Sequence, residues 1–346
     1  MKEITESTSK KYYSLEINPD HNMKPFLNFE QIKEELSKPS EKNKARVHIQ
    51  KPDENDVRQF LKHHNYYAFS IYKKCLPFRE NPNFDFYDCL HIFQFDSFLR
   101  KNLQIFTGHI ESLVKASIIS SLCTNYKGSF QTGECYLDDE LYINKERYLE
   151  NVKLFGTRTY QNKKSLPIKH HIDNKEGHIP LWVILPEFTF GETTYFIDSL
   201  KMSIRNQWLT DLFLSNEFYS QETQLHEHIL TTATSWISAS WALRNLTAHY
   251  GRLYGRNFNT STPRFYTPTI RKLKPVGKKK EHNRDLFAYM LAIKQVLLCY
   301  DDNVKTEWNK FIEEIDDKVS NSDILKLSKI GFPESYRQFL IIGQHL

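Results

Sequence analysis

Between Trp241 and Arg256 the chain reads Trp-Ala-Leu-Arg-Asn-Leu-Thr-Ala-His-Tyr-Gly-Arg-Leu-Tyr-Gly-Arg. Read as a helix, this stretch places Asn245, His249, Arg252 and Arg256 on one stripe, at offsets of 0, 4, 7 and 11. Arg244 flanks the stripe, and Tyr250 and Tyr254 lie beside it. Imidazole is the side chain that gives and takes protons near neutral pH. Guanidinium offers a planar fork of donors that matches a phosphate. Gathered on one surface, these groups suit cleavage of a phosphodiester without a metal. RNA brings its own nucleophile to that chemistry, the 2′-hydroxyl next to the scissile phosphorus. His249 is then expected as general base or acid, Arg244 as the phosphate clamp that stabilises developing charge, and Asn245 as the group that orients either.

Arg-x4-His alone is a weak signal. A second copy, Arg58 to His63, stands in a short charged stretch with no Asn after the Arg, and it reads as a chance match. What distinguishes Arg244 is the sequence that follows. From Arg244 to Arg284 eleven basic residues face a single acid, Glu281. A field of that sign draws polyanions. The expected RNA contacts are Tyr250, Arg252, Tyr254, Arg256, Arg264, Arg271, Lys272, Lys274, Lys278, Lys279 and Lys280. The runs His63-His64, His170-His171 and His226-Glu227-His228 lack the His-Glu-x-x-His spacing of a zinc site, so no metal is expected. Neither a Walker-type loop nor Gly-x-Gly-x-x-Gly occurs, so neither nucleoside triphosphate chemistry nor a cofactor is expected.

Something must hold these residues, and the composition points to helices. Glycine (11) and proline (13) are scarce in 346 residues, which disfavours turn-rich β architectures. Aromatics at 14% supply ample core. Five scattered cysteines without a Cys-x-x-Cys pair suit a reducing compartment, here read as the cytoplasm. No apolar run approaches the ~20 residues of a membrane span, so no membrane partner is expected. An all-α protein is predicted. Residues 1–22 form a polar tail, 23–82 an N-terminal helical segment, and 83–346 the main helical domain with an exposed basic loop at 256–282. Asn28 with Gln31 is a capping box for a first helix. Asp53 caps a second through His63. Phe86, Leu90, Phe93, Leu99, Leu103, Phe106, Ile110, Leu113 and Ile118 trace one long helix. Further helices are expected over 139–155, 197–215, 222–254, 284–300 and 304–319, with loop over 157–178 and a buried turn or short helix start at 179–186.

Five segments in order also resemble the Abi-like (AbiD/AbiF-type) abortive-infection family of bacterial phage-defence proteins. They are Lys24-Pro-Phe-Leu-Asn-Phe-Glu-Gln-Ile; Asn65-Tyr-Tyr-Ala-Phe-Ser-Ile-Tyr with Leu76-Pro-Phe; Phe95-Asp-Ser-Phe-Leu-Arg with His109-Ile-Glu; Leu181-Trp with Phe190-Gly-Glu-Thr; and the stretch from Leu243 to Arg256. The resemblance implies the HEPN superfamily: a helical bundle whose Arg-x4–6-His motif falls here on Arg244, Asn245 and His249. It departs from the family around Tyr254 and Gly255, and at Ala68 and Phe69, where an Arg is usual. It implies an endoribonuclease acting in phage defence or as a toxin restrained by a structured RNA. It also implies a homodimer, since one imidazole cannot easily serve both sides of an in-line displacement. The alternative is a catalytically silent helical protein that binds a structured RNA through the same basic surface.

Overall fold

A computed structural model describes residues 25–215, 223–265 and 283–343. The polar tail 1–22 lies outside them, as do Arg271, Lys272, Lys274, Lys278, Lys279 and Lys280, and with them most of the basic loop. The side chains of His226 and Glu227 are likewise not described.

The protein is all-α, as its composition predicts. Helix α1 (Phe29–Ser37) begins at the expected capping box: Asn28 accepts from the Gln31 amide at 3.0 Å, and Gln31 reaches back to the Asn28 amide at 2.9 Å. Helix α2 spans Glu54–His63. Two three-residue strands, β1 (Arg46–His48) and β2 (Asn83–Asp85), pair in parallel with Val47 opposite Phe84. Neither strand is expected from the sequence, because three residues are too few to display a period of two. Strand β2 runs straight into α3 (Phe86–Asn125), a single helix of 40 residues and about 60 Å. A second capping box starts it, formed by Asp85 and Asp88.

Helix α3 is the spine. Its buried positions, from Phe86 through Ile92, Leu99, Leu103 and Ile110 to Ile118, recur every three or four residues, the spacing that gathers side chains onto one face. The expected helix over 139–155 is displaced to α4 (Lys145–Gln161). Residues 157–178 are not the loop that their polarity suggests, for α5 (Leu166–Asn174) occupies the middle of them. The turn at 179–186 is short, helical and buried at Leu181, Ile184 and Leu185. The helix expected over 197–215 is divided into α6 (Phe190–Ser199) and α7 (Met202–Leu209), with a π-turn over Thr210–Leu214. The division falls at Leu200, which bridges in antiparallel fashion to Tyr142.

Helix α8 (Thr223–Ala248) packs along α3 and is flanked by α9 (Leu286–Leu297), α6 and α7. Helix α9 is buried from Leu286 to Lys294 without a break, as a helix apolar on every side must be. Then α10 (Asp302–Ser320) and the short α11 (Tyr336–Leu340) close the bundle against α3 and α9. One contiguous buried cluster runs from Ile32 and Leu36 of α1 to Phe339 and Leu340 of α11. Among the described residues, no helix is long and apolar enough to cross a membrane.

Candidate active site

Arg244, Asn245 and His249 lie at the C-terminal end of α8. Every buried side chain of that end, Ala239, Ser240, Leu243 and Thr247, faces the bundle, which leaves the three motif residues on the accessible side. Arg244 is half-buried, with its side chain 37% exposed. Its Nε lies 3.3 Å from the Glu111 carboxylate on α3. Glu111 is shared: its other oxygen accepts from Lys115 at 2.9 Å, and Lys115 also donates to the carbonyls of Pro186 and Phe188. The guanidinium of Arg244 is thus tethered to α3 through Nε, while part of the side chain remains open to solvent. His249 is exposed.

The helix predicted over 222–254 ends at Ala248, six residues early. Two hydrogen bonds explain the stop. The Tyr250 amide donates to the Thr247 carbonyl at 3.1 Å, and the Gly251 amide to the Leu246 carbonyl at 2.8 Å. This is a Schellman closure, with His249 as the cap and Tyr250 as the first residue beyond it. Tyr250 has φ of 53°. That left-handed conformation costs an ordinary L-residue roughly 1–2 kcal/mol, yet the Tyr250 side chain is 84% exposed and gains nothing from burial.

The single stripe expected from Asn245 to Arg256 is therefore broken. Arg252 is half-buried and turned back onto its own segment, where it donates to the Tyr254 carbonyl and approaches Cys75 Sγ at 3.9 Å. Tyr254 is fully buried, and its hydroxyl is tied to the backbone of Lys326 in both directions, at 2.8 and 3.1 Å. It is a core residue, which corrects its expected role in RNA contact. The next position needs a glycine. Gly255 has φ of +65°, and a Cβ there would lie 2.8 Å from Cys75 Sγ.

The anchor of this returning segment is Asp96 of α3, a residue without solvent exposure. Its Oδ1 accepts from the amides of Leu253 at 2.9 Å and Tyr254 at 2.6 Å. Its Oδ2 accepts from the Tyr72 hydroxyl at 2.6 Å and from Arg100. Burial, aided by the Asp96 carboxylate, pushes the Tyr72 phenol well up, so that it stays protonated as a donor. Arg100, itself buried, also donates to Ser97 Oγ at 2.6 Å. Asp96 and Arg100 stand four residues apart on α3, the spacing at which an ion pair forms within one helix. The link to Leu253 and Tyr254, across more than 150 residues of chain, left no local mark.

Between α3 and the end of α8 an open groove of about 370 Å³ is lined by Ser97, Arg100, Lys101, Gln104, Ile105, Thr247 and Tyr250. None of these is acidic. The segments Phe95 to Arg100 and His109 to Glu111 carried the family resemblance, but nothing in the sequence assigned Glu111 or the groove a role.

The remaining basic positions among the described residues scatter. Arg256 is exposed one turn beyond the buried Tyr254. Arg264 is exposed, but its backbone is pinned to the middle of α8 by Ser235 Oγ and Trp236 Nε1. That lies about 20 Å along the helix from His249. The other Arg-x4-His pair is structural at its first residue: Arg58 bonds Glu30 at 2.9 Å and covers the Phe29 ring at 3.6 Å. Among the described residues, no three His, Cys, Asp or Glu side chains gather where they could hold a metal ion.

A family model described as Abi-like protein matches residues 59–255, a stretch that contains α3, α8 and the whole Arg244–Gly255 segment. No curated protein and no solved structure matches the chain.

Proposed function

This chain belongs to the family of Abi-like proteins, and from that premise we propose that it is a metal-independent endoribonuclease of the abortive-infection or toxin type. The observation that carries the reading is the placement of Arg244 and His249. Both are accessible at the end of a buried central helix, beside a groove with no acidic lining residue. A buried scaffold fixes their backbone, and solvent-facing side chains leave room for a phosphodiester. Preorganised donors of this kind act on the charge that develops in the transition state.

In this reaction the RNA 2′-hydroxyl attacks the adjacent phosphorus, and the 5′-oxygen leaves to give a 2′,3′-cyclic phosphate. His249 takes or returns the proton. Arg244 binds a non-bridging oxygen with the guanidinium edge that Glu111 does not occupy. Asn245, one helical turn before His249, orients the ring or the phosphate. In-line displacement places the entering and leaving oxygens on opposite sides, so one imidazole serves one of them. A second copy of the chain supplies the other, in a two-fold homodimer with the two α8 ends facing. RNA is the partner, and exposed Arg256 and Arg264 lie on its path.

The test is cleavage of single-stranded RNA by purified protein in EDTA. Wild type is expected to nick it and leave cyclic phosphate ends. His249→Ala, an exposed substitution that leaves the fold intact, is expected to lower the rate by at least ~100-fold while most binding persists. Binding without cutting by wild type would make the protein a silent RNA-binding module instead.

A further inference from the structure

We propose that the groove between α3 and the end of α8 is a nucleobase subsite. It holds one unpaired nucleotide beside the scissile linkage, the base on the Tyr250 ring and the phosphate on Lys101. The proposal deepens the ribonuclease reading and rests on it for the position of that linkage. Three independent features of the groove lead here.

The first is Tyr250 itself. It occupies a backbone position that glycine fills without strain, and its ring is almost entirely in solvent. Strain at an exposed aromatic serves no packing purpose, and strained residues concentrate where ligands are held. The ring belongs to the residue next to His249, so a base stacked on it adjoins the reacting phosphate. The second feature is charge. Lys101 is exposed with no ion-pair partner among the described residues, Arg100 beside it is neutralised by its ion pair with Asp96, and no carboxylate lines the space. Asp96 lies beneath, wholly committed to four donors. The third is size and polarity. About 370 Å³ falls in the range that accepts a small ligand. Exposed Gln104 and half-exposed Ser97 offer amide and hydroxyl groups for a base edge.

An aromatic platform selects unpaired bases. In an A-form duplex the base faces are stacked on one another, and only edges, 2′-hydroxyls and phosphates are presented to a protein. A flat ring engages a base once that base is free of its neighbours. The substrate class is therefore single-stranded RNA, or an unpaired loop or bulge, with the cut next to the captured nucleotide.

The test uses His249→Ala protein in EDTA, so that bound RNA stays whole, and a short single-stranded RNA carrying 2-aminopurine, whose fluorescence falls on stacking. Quenching is expected on binding. A further Tyr250→Phe change should preserve it. Tyr250→Gly should abolish it and weaken binding on the order of tenfold, while raising the thermal midpoint because the strained residue is relieved. Lys101→Ala should reduce the slope of log affinity against log salt by about one. Blunt duplex RNA should bind without any dependence on Tyr250. Unchanged quenching and affinity in Tyr250→Gly, or the same dependence with duplex, would overturn the subsite. The two readings fail separately. If wild type cuts nothing while the Tyr250-dependent quench remains, the nuclease is lost and the subsite stands. If wild type cuts and Tyr250→Gly matches it in quench and rate, the subsite alone is lost.

Discussion

Asp96 matters to the motif although it touches none of the three motif residues. Both carboxylate oxygens are fully engaged: two backbone amides after the motif on one, Tyr72 and Arg100 on the other. A buried ion pair adds little net stability, but removing one member leaves an uncompensated charge and costs about 3–5 kcal/mol. Asp96→Ala is therefore expected to lower unfolding free energy by that amount. Asp96→Asn is the milder test. Its amide oxygen can still accept from Leu253 and Tyr254, while its NH2 group meets Arg100, a donor facing a cation. Urea unfolding should separate the two variants, and amide exchange at Leu253 and Tyr254 should accelerate most in the alanine form. An unchanged midpoint in Asp96→Ala would show that the turn after α8 is held by something else. The fixed position of His249 depends on this turn, so cleavage should weaken along with it.

At the scale of elements, α9 carries a charge where its surroundings are least suited to one. Burial holds the Lys294 ammonium down to about 8, from an ordinary 10.5. Below pH 8 the folded chain keeps the proton and bears the whole cost of the buried charge. Between pH 8 and 10.5 it releases the proton before the unfolded chain does, so stability rises with pH in that window. Lys294→Met is expected to stabilise the protein at pH 7 by on the order of 3 kcal/mol, an advantage that fades towards pH 10.5. Denaturant titrations of both proteins across that range give the check, and a difference constant with pH would contradict it. Other elements show which parts of the fold were legible. The Asn28–Gln31 capping box and the apolar series of α3 are local signals, and both appear where the sequence places them. Helix α5 buries only Ile168, so its polar surface reads as loop. The end of α8 escapes the sequence for a subtler reason. A helix usually stops one residue before a glycine in the left-handed conformation. Here Tyr250 takes that position, and Gly251 follows one residue late. The motif was therefore legible as composition, and its geometry was not, because the path of the chain after the stop is fixed by Asp96, far away in the sequence.

Across the whole molecule the charge is unevenly distributed. The formal total is +5, yet residues 244–284 alone hold eleven basic residues against one acid, so the rest of the chain is net negative. The homodimer proposed above would bring two such basic surfaces together around the paired α8 ends. Their repulsion is screened beyond about 10 Å at 0.1 M salt, and a bound RNA strand neutralises it directly. Self-association should therefore strengthen with added salt when the protein is alone, and with single-stranded RNA at low salt, both measurable by sedimentation. The composite site makes a sharper demand on mixed subunits. If each cut needs one imidazole for the entering oxygen and another for the leaving one, a pair of wild type with His249→Ala holds only half the machinery. Wild type re-equilibrated with excess His249→Ala should then lose activity as the square of the wild-type fraction, because only wild-type pairs turn over. A protein whose single chains each hold a complete site would lose nothing per wild-type chain on mixing, and that linear response would dismiss the paired arrangement while leaving Arg244 and His249 as the chemistry of one subunit.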